Sequence, residues 1–224
     1  MTVEAMPPVG PPPEPPSLDP VFTVLDVEAV PYTATPTLRF HLHVEDPTGR
    51  EIHTIALSTQ IQIDPARRAY DAETMAQLTE LFGEPERWAS TTQVFRWAHV
   101  SALVSGFTGA TSFVVDVPCT YDLEIAASKY FYSLSGGDVP LSFLFNGMVM
   151  YSGEDDRLQI AQVPWSCVTR WRMPVDAWKR VMAAYYPGGG WVRLDTETLD
   201  ALSARKAAGG HHSFDALITE LLKP

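Results

Sequence analysis

The feature that most constrains the fold is a two-residue alternation of apolar and polar side chains that begins near residue 37. In 37–45, four apolar residues occupy every second position, with polar or charged residues between them. Such alternation is typical of an antiparallel strand with one buried face. The sequence Asp-Pro-Thr-Gly follows at 46–49 and favours a tight turn, and 51–63 then alternates again. The pattern predicts a hairpin formed by 37–45 and 51–63.

Further alternation and helical spacing extend this pattern over most of the chain. More strands are predicted near Phe22 and over 92–104, 112–117, 122–126, 141–151 and 158–163. Helices are predicted over 71–82, from Pro174, from Thr196 as N-cap and from Ser213 as N-cap. The segment 126–134 fits either a short helix or a continued strand. Seven or eight strands followed by helices predict a mainly β (α+β) protein, an antiparallel Ig-like β-sandwich with a helical C-terminal appendage.

Three regions follow from these patterns. Residues 1–20 contain eight prolines and no basic residue, which predicts an extended or disordered tail. Residues 21–168 are expected to form the sandwich, with a helical insertion near 71–82. Residues 169–224 are expected to form a helical region packed on the sandwich.

Composition excludes several classes of function. The formal net charge of −11 and the absence of a basic run argue against nucleic-acid binding. No apolar stretch is long enough for a membrane helix, and no secretory signal is visible at the N-terminus. We therefore expect a cytoplasmic protein whose two cysteines, Cys119 and Cys167, are reduced, although a disulfide between them is possible on count alone.

Catalytic and cofactor motifs are not recognisable in the sequence. The apolar block at 118–151 is typical of a packed core or a docking surface, and no nucleophile, phosphate-loop or zinc-protease motif occurs. Neither cysteine lies beside a candidate base, and neither belongs to a Cys-x-x-Cys pair of the kind that binds metals. The sequence therefore predicts no cofactor and no catalytic residue.

Three histidines form a weak candidate metal site. His41 and His43 are two residues apart on a predicted strand and share a face, and His53 lies on the returning strand. Imidazoles on adjacent strands can bind zinc. The solvated polar face that also carries Arg39 and Glu45 is the favoured alternative.

A pair of carboxylates is the other candidate for chemistry. Asp122 and Glu124 alternate with apolar residues, which would place both side chains on one strand face about 6–7 Å apart. This separation suits acid–base work on a glycoside. A polar sheet face is favoured over a catalytic pair, since no substrate-binding motif accompanies them.

Aromatic residues supply the candidate interaction surface. Six tryptophans can fill the seam between sheets and helices, or anchor an exposed patch, as Trp and Arg often do at interfaces. Core filling is favoured for the tryptophans as a group. The preferred candidate for a partner-binding surface is Trp165, Arg170, Trp171 and Arg172.

Five segments carry a family resemblance: 28–40, 81–88, 118–134, 139–151 and 185–194. Together they resemble a bacterial, actinobacterial-type family of about this length that is classed only as a domain of unknown function. The resemblance covers residues 22 to about 220. Members of the family are often encoded beside uptake NiFe hydrogenase genes, which implies an accessory or assembly role. The resemblance implies no catalytic residue.

Two classes of function remain open. The first is a non-enzymatic accessory protein that binds a partner protein, such as a NiFe hydrogenase subunit or a maturation intermediate. The second is an enzyme that uses Asp122 and Glu124 or a histidine-bound metal. A structural Ig-like interaction module tethered by the proline-rich tail is a third possibility. No expectation about oligomeric state follows from the sequence.

Overall fold

A computed structural model describes residues 18–120, 122, 125–153, 155–190 and 192–223. Within these residues the chain forms eight strands: β1 Val21–Ala29, β2 Thr37–Glu45, β3 Glu51–Ile63, β4 Phe95–Thr108, β5 Ala110–Pro118, β6 Asp138–Ser152, β7 Leu158–Gln162 and β8 Val168–Pro174. The same residues form six α-helices: α1 Ala72–Phe82, α2 Trp88–Thr91, α3 Ala126–Ser133, α4 Val175–Tyr185, α5 Thr196–Ala208 and α6 Phe214–Leu221.

The strands form two antiparallel sheets. A three-stranded sheet has the order β1-β2-β5, and a five-stranded sheet has the order β4-β3-β6-β7. The fifth strand of the larger sheet, β8, pairs with the first half of β6, whereas β7 pairs with its second half. The protein is therefore mainly antiparallel β with six α-helices within its described residues.

The predicted hairpin between β2 and β3 is wrong, although both strands have the predicted bounds. β2 pairs with β1 and β5, and β3 pairs with β4 and β6, so the turn at 46–49 carries the chain from one sheet to the other. Buried Asp46 holds this crossing: its carboxylate accepts from Thr48 and from the Arg50 N–H, and its own N–H donates to the Gly109 carbonyl at 2.7 Å. Because Gly109 joins β4 to β5, both crossings between the sheets are tied together.

Aromatic side chains fill the space between the two sheets. Phe40 of β2 lies edge-on to Phe143 of β6, with ring centroids 5.3 Å apart. Phe22 of β1 stacks on Phe145 of β6 at 4.2 Å. All four rings are buried. The inner faces of the sheets therefore bury one common core, and burying such rings is the largest single contribution to folding in a layer of this kind.

Helices α1, α3 and α4 extend this core. Phe131 of α3 lies 4.9 Å from Trp97 of β4 and stacks on Trp178 of α4 at 5.4 Å. Helix α1 begins at the N-cap Asp71 and ends at Gly83, which has a φ of 76°, as the sequence predicts. A contiguous aromatic core thus continues from the five-stranded sheet into the helices.

The segment 126–134, for which the sequence allows either a helix or a continued strand, forms helix α3 over Ala126–Ser133. Of the predicted strand over 122–126, the structure describes Asp122, which makes a single bridge, Ile125, which lies in a bend, and Ala126, which already begins helix α3. Glu124 lies outside the described residues, as do residues 1–17 of the predicted tail.

The C-terminal region differs from its prediction at its start. The predicted helical region begins at residue 169, but 168–174 forms β8, and helix α4 begins at Val175. The N-cap of α5 is Asp195, which accepts from the Thr198 N–H at 2.7 Å, and not Thr196. Ser213 caps α6 as predicted. No helix among the described residues has the length and apolar character needed to cross a bilayer.

Candidate functional site

The outward-facing side chains of β4, β3, β6, β7 and β8 form a sheet surface that we call the outer face. On β3 the buried residues Ile55 and Leu57 alternate with outward-facing residues such as Ala56. Ala56 is paired with Leu103 of β4 on one side and with Met148 of β6 on the other. The register therefore aligns three apolar side chains in one row across three strands.

Large apolar side chains on the outer face are open to solvent. Leu103 is 74% exposed and Met148 is 51% exposed. The next rows add Ile160 and Leu158 of β7, at 55% and 62%. Because neighbouring rows of a sheet face touch, these side chains form one apolar stripe running obliquely from β4 to β7.

Small side chains leave a shallow hollow beside this stripe. A cavity of about 440 Å³ lies against the middle of β3 and β4, and its lining residues are Ala56, Leu57, Ser58, Ser101, Ala102 and Leu103. The small alanine and serine side chains form the base of this cavity, whereas the larger Leu103 side chain lies at its edge. Such relief suits the insertion of a bulky side chain from another molecule.

No Asp, Glu, Lys or Arg residue occupies the four central rows of the outer face. Besides the apolar stripe, Met150 and the Leu144–Val168 pair, the described outward positions there are Thr54, Ser58, Gln60, His99, Ser101, Ser105, Asn146 and Gln162. His99 and Ser58 share a hydrogen bond of 2.6 Å. Depletion of charged residues is what distinguishes the centre of a protein interface from the rest of a protein surface.

The outward face of the three-stranded sheet has the opposite character. Arg39 of β2 donates two hydrogen bonds of 2.7 Å to Asp116 of β5. These bonds hold the pKa of the Asp116 carboxyl below its ordinary value. His41 lies 3.1 Å from a Glu28 carboxylate oxygen on the same face. This sheet therefore presents a solvated, charged surface, and the contrast marks the outer face as the unusual one.

Arginines gather at one end of the outer face. Arg96 of β4 and Arg170 of β8 lie in the same row, with Gln62 and Ser142 between them, and Arg172 lies in the next outward position of β8. A cavity of about 360 Å³ here is lined by Asp64, Arg67, Pro140, Leu141, Ser142, Arg170, Trp171 and Arg172. The outer face thus joins an uncharged apolar area to a basic corner.

The structure divides the predicted tryptophan–arginine cluster. Arg170 and Arg172 are exposed on the outer face, but Trp171 alternates to the inner side of β8 and lies edge-on to Phe40 at 6.0 Å. Trp165 is 78% exposed in the loop before β8. Three of the four residues are therefore at the surface, whereas Trp171 packs against the core.

The three candidate metal-binding histidines are not brought together. His41 and His43 lie on β2 in the three-stranded sheet, and His53 lies on β3 in the five-stranded sheet. Their hydrogen-bonding partners are Glu28, Ser112 and Ser152, respectively. Among the described residues no three histidine, cysteine, aspartate or glutamate side chains are placed to hold one metal ion.

The remaining candidate residues are the carboxylate pair and the cysteines. The geometry of the Asp122–Glu124 pair lies outside the described residues, because Glu124 does. Cys119 and Cys167 are both free thiols. Burial raises the pKa of the Cys119 thiol to about 12 and also raises the pKa of Cys167. Neither thiol is therefore activated for nucleophilic attack.

Sequence reasoning missed Leu103, Met148 and Ile160. The alternation in 92–104 does separate Leu103 from Val104, which was the available signal that Leu103 could face outward. Nothing in the sequence shows that Met148 lies beside it, since that contact depends on the pairing of both strands with β3.

The fold and its outer face define a mainly antiparallel β protein with an exposed apolar sheet surface. The chain belongs to DUF6084, a family of unknown function whose model matches residues 17–224. This membership agrees with the resemblance to an uncharacterised domain seen in the sequence. None of the curated proteins matches the chain.

Two solved structures show remote similarity to this chain. One is described as a late embryogenesis abundant (LEA) protein, with 13% identity, a TM-score of 0.32 and coverage of 69% of this chain and 70% of that one. The other is described as the ApaA protein of Bordetella pertussis, with 8% identity, a TM-score of 0.27 and coverage of 70% and 96%.

Proposed function

We propose that this protein is a non-enzymatic accessory protein that binds a partner protein through its outer face. The observation that carries the proposal is the row formed by Leu103, Ala56 and Met148 on a sheet surface without Asp, Glu, Lys or Arg in its central rows. Contiguous exposed apolar surface is costly in water and commonly marks an interaction site. A partner with a complementary apolar, weakly charged surface would remove these side chains from solvent.

The proposed partner is a subunit or maturation intermediate of a NiFe hydrogenase, and the proposed location is the cytoplasm. This identity is supported by the family resemblance of 28–40, 118–134 and the other matching segments. The outer face is compatible with such a partner, because assembly intermediates expose apolar surface that is later buried in the mature complex.

An Ig-like β-sandwich is the proposed class of the two-sheet core. One sheet has the strand order β1-β2-β5 and the other contains the order β4-β3-β6-β8. This order corresponds to strands A, B and E of an Ig-like fold in one sheet and strands C′, C, F and G in the other, which supports the proposed class. In this correspondence β7 is an additional strand between F and G. The outer face would then be the exposed side of the C′CFG sheet.

Affinity capture of the tagged protein from its native host tests the proposed function. Leu103→Glu and Met148→Glu each place a charge in the apolar row, and both sites are exposed enough to accept it without disturbing the core. Val114→Glu is the matched control, since Val114 is 42% exposed on the outward face of the other sheet. Circular dichroism establishes that all three variants fold.

The expected result is recovery of a hydrogenase subunit or maturation factor with the unmodified protein and with Val114→Glu, and its loss with both outer-face variants. Capture that survives both substitutions would contradict the proposed surface. Failure to recover any hydrogenase component would contradict the proposed partner. In that case, metal analysis and substrate screening would address the enzyme alternative involving Asp122, Glu124 or a histidine-bound metal.

A further inference from the structure

The basic corner of the outer face is positively charged, whereas the molecule as a whole is negatively charged. The chain has a formal net charge of −11, yet Arg170 and Arg172 project from successive outward positions of β8, and Arg96 lies in the row of Arg170 on the far side of β3 and β6. Arg67 approaches from the short 3₁₀ turn that follows β3 and lines the same cavity. Positive charge is therefore concentrated at one place on an acidic protein.

Most of this positive charge is not neutralised within the described residues. Arg67 is paired with Asp64 at 2.7 Å, but Arg96, Arg170 and Arg172 form no ion pair there. Arg172 donates to the backbone carbonyl of Arg67 at 3.2 Å. That bond holds the Arg172 guanidinium against the Arg67 backbone at the cavity that Arg170 also lines. A bound anion there would offset the positive charge of Arg170 and Arg172 and be held by several donors.

The spacing of the arginines indicates the shape of the anion. Arg170 and Arg172 are alternate residues of a strand, so their side chains leave the sheet about 6–7 Å apart. Carboxylates at alternate positions of an extended peptide have the same spacing. Guanidinium groups bind carboxylates through two parallel hydrogen bonds, which gives such a contact orientation as well as strength.

We infer that this corner binds an acidic segment of the partner protein, in extended conformation and with carboxylates at alternate positions. The inference rests on the proposed function and specifies the chemistry of the partner. Continuity supports it: the row of Arg96 and Arg170 lies directly beyond the row of Gln60 and Leu144 on the same face. One partner can therefore cover the apolar stripe and place its acidic segment across the arginines.

A fluorescence anisotropy titration tests the acidic-segment site. The probe is a fluorescein-labelled peptide of alternating glutamate and serine, added to the full chain. Arg170→Gln combined with Arg172→Gln removes both charges, and Arg157→Gln combined with Arg205→Gln is the matched control, because these arginines are exposed outside the corner. A parallel calorimetric titration uses inorganic phosphate.

Peptide binding should weaken as salt is added, by screening of the ion pairs. It should fall about tenfold or more in the Arg170/Arg172 variant and stay unchanged in the control. Equal binding by both variants would overturn the inference, and so would no binding at millimolar peptide. Binding of inorganic phosphate without binding of the peptide would overturn the assignment to carboxylates.

Comparison with the capture experiment separates this inference from the proposed function. If the peptide fails to bind but capture still depends on Leu103, the acidic-segment site is wrong and the docking surface stands. If the peptide binds but capture is unaffected by Leu103→Glu, the docking surface is wrong and the corner remains an independent carboxylate site.

Discussion

The hydroxyl oxygens of Tyr70 and Tyr130 lie 2.7 Å apart where helix α3 meets the segment between β3 and α1. The Tyr70 hydroxyl donates its proton to the Pro65 carbonyl oxygen at 2.8 Å. Because a hydroxyl has one proton, Tyr70 accepts the second hydrogen bond and Tyr130 donates it. Tyr130 is fully buried and its ring contacts Phe82 and Phe95. One hydrogen bond therefore satisfies the only polar side-chain group of a residue at the centre of the helical layer.

This arrangement predicts unequal effects for two similar substitutions. Tyr70→Phe leaves the buried hydroxyl of Tyr130 without its described partner and should lower the free energy of unfolding by about 1–3 kcal/mol. Tyr130→Phe removes the buried hydroxyl itself and should cost about 1 kcal/mol. Urea denaturation measures both, with fully exposed Tyr32→Phe as a neutral control. An equal or larger loss for Tyr130→Phe would contradict the account that leaving the buried Tyr130 hydroxyl unpaired costs more than removing it.

Gly147 is predicted to be irreplaceable in β6. It has a φ of 156°, and a Cβ atom there would lie 2.1 Å from the Ala56 carbonyl oxygen of the neighbouring strand. Gly147→Ala should therefore lower the free energy of unfolding by about 3 kcal/mol or more, or prevent folding. Gly136→Ala is the control, because a Cβ there meets open space, and it should change stability by less than about 0.5 kcal/mol. A well-folded Gly147→Ala protein of normal stability would contradict the strand pairing.

Local patterns predicted the elements better than their arrangement. Alternation placed β2 and β3 correctly, and helical spacing over 71–82 matched α1 to within one residue, because such patterns act within a few residues. The partner of a strand is decided by contacts far apart in sequence. Asp46 and Gly109 hold the crossing between sheets through one hydrogen bond that no local pattern contains.

Irregular pairing also limited the prediction of strand faces. Simple two-residue alternation over the predicted strand 92–104 would place Trp97 and His99 on one face. A register shift between Ile61 and Gln62 interrupts the pairing of β3 with β4 beside these residues. Trp97 consequently packs on Phe40 inside, whereas His99 bonds on the outer face. A bulge of this kind reverses the alternation and leaves no signal in composition.

The candidate site was predicted only in part for the same reason. Arg170 and Arg172 were recognised as surface residues, but their place in the same row region as Arg96 follows from the order of four strands, β4-β3-β6-β8. Leu103 and Met148 meet because both pair with Ala56. The candidate surface is thus a product of sheet register, which single-sequence patterns do not specify.

Acid should weaken the N-terminal cap of α1. The Asp71 carboxylate accepts from the Thr74 N–H at 2.7 Å, which lowers the pKa of Asp71 below its ordinary value of 3.8. A depressed pKa means that this stabilisation is complete above pH 3.8 and is lost as pH falls through the lower, folded-state value. Thermal unfolding of the wild type and of Asp71→Asn between about pH 6 and about pH 2 measures this loss of stabilisation.

Asparagine is also a good N-cap but does not titrate, so the wild type should lose more of its Tm than Asp71→Asn as pH falls. A difference in Tm that stays constant across this range would show that the Asp71 cap does not respond to pH.

The two thiols should differ in reactivity. Cys119 is buried and its pKa of about 12 keeps it protonated at neutral pH, whereas Cys167 is half-buried beside the Pro20 carbonyl. Ellman's reagent should therefore modify Cys167 slowly in the native protein and reach Cys119 only after unfolding. Cys167→Ser should abolish the native reaction. Rapid modification of both thiols in the native state would contradict the burial of Cys119.

Methionine footprinting tests the central claim most directly. Met148 is 51% exposed at the middle of the outer face, and Met75 is half-buried on α1, away from that sheet. Oxidation of each methionine is followed by mass spectrometry in the free protein and in the complex recovered by capture. Protection of Met148 with unchanged oxidation of Met75 is the predicted result. Equal oxidation of Met148 in the free and bound protein would contradict partner docking on the outer face.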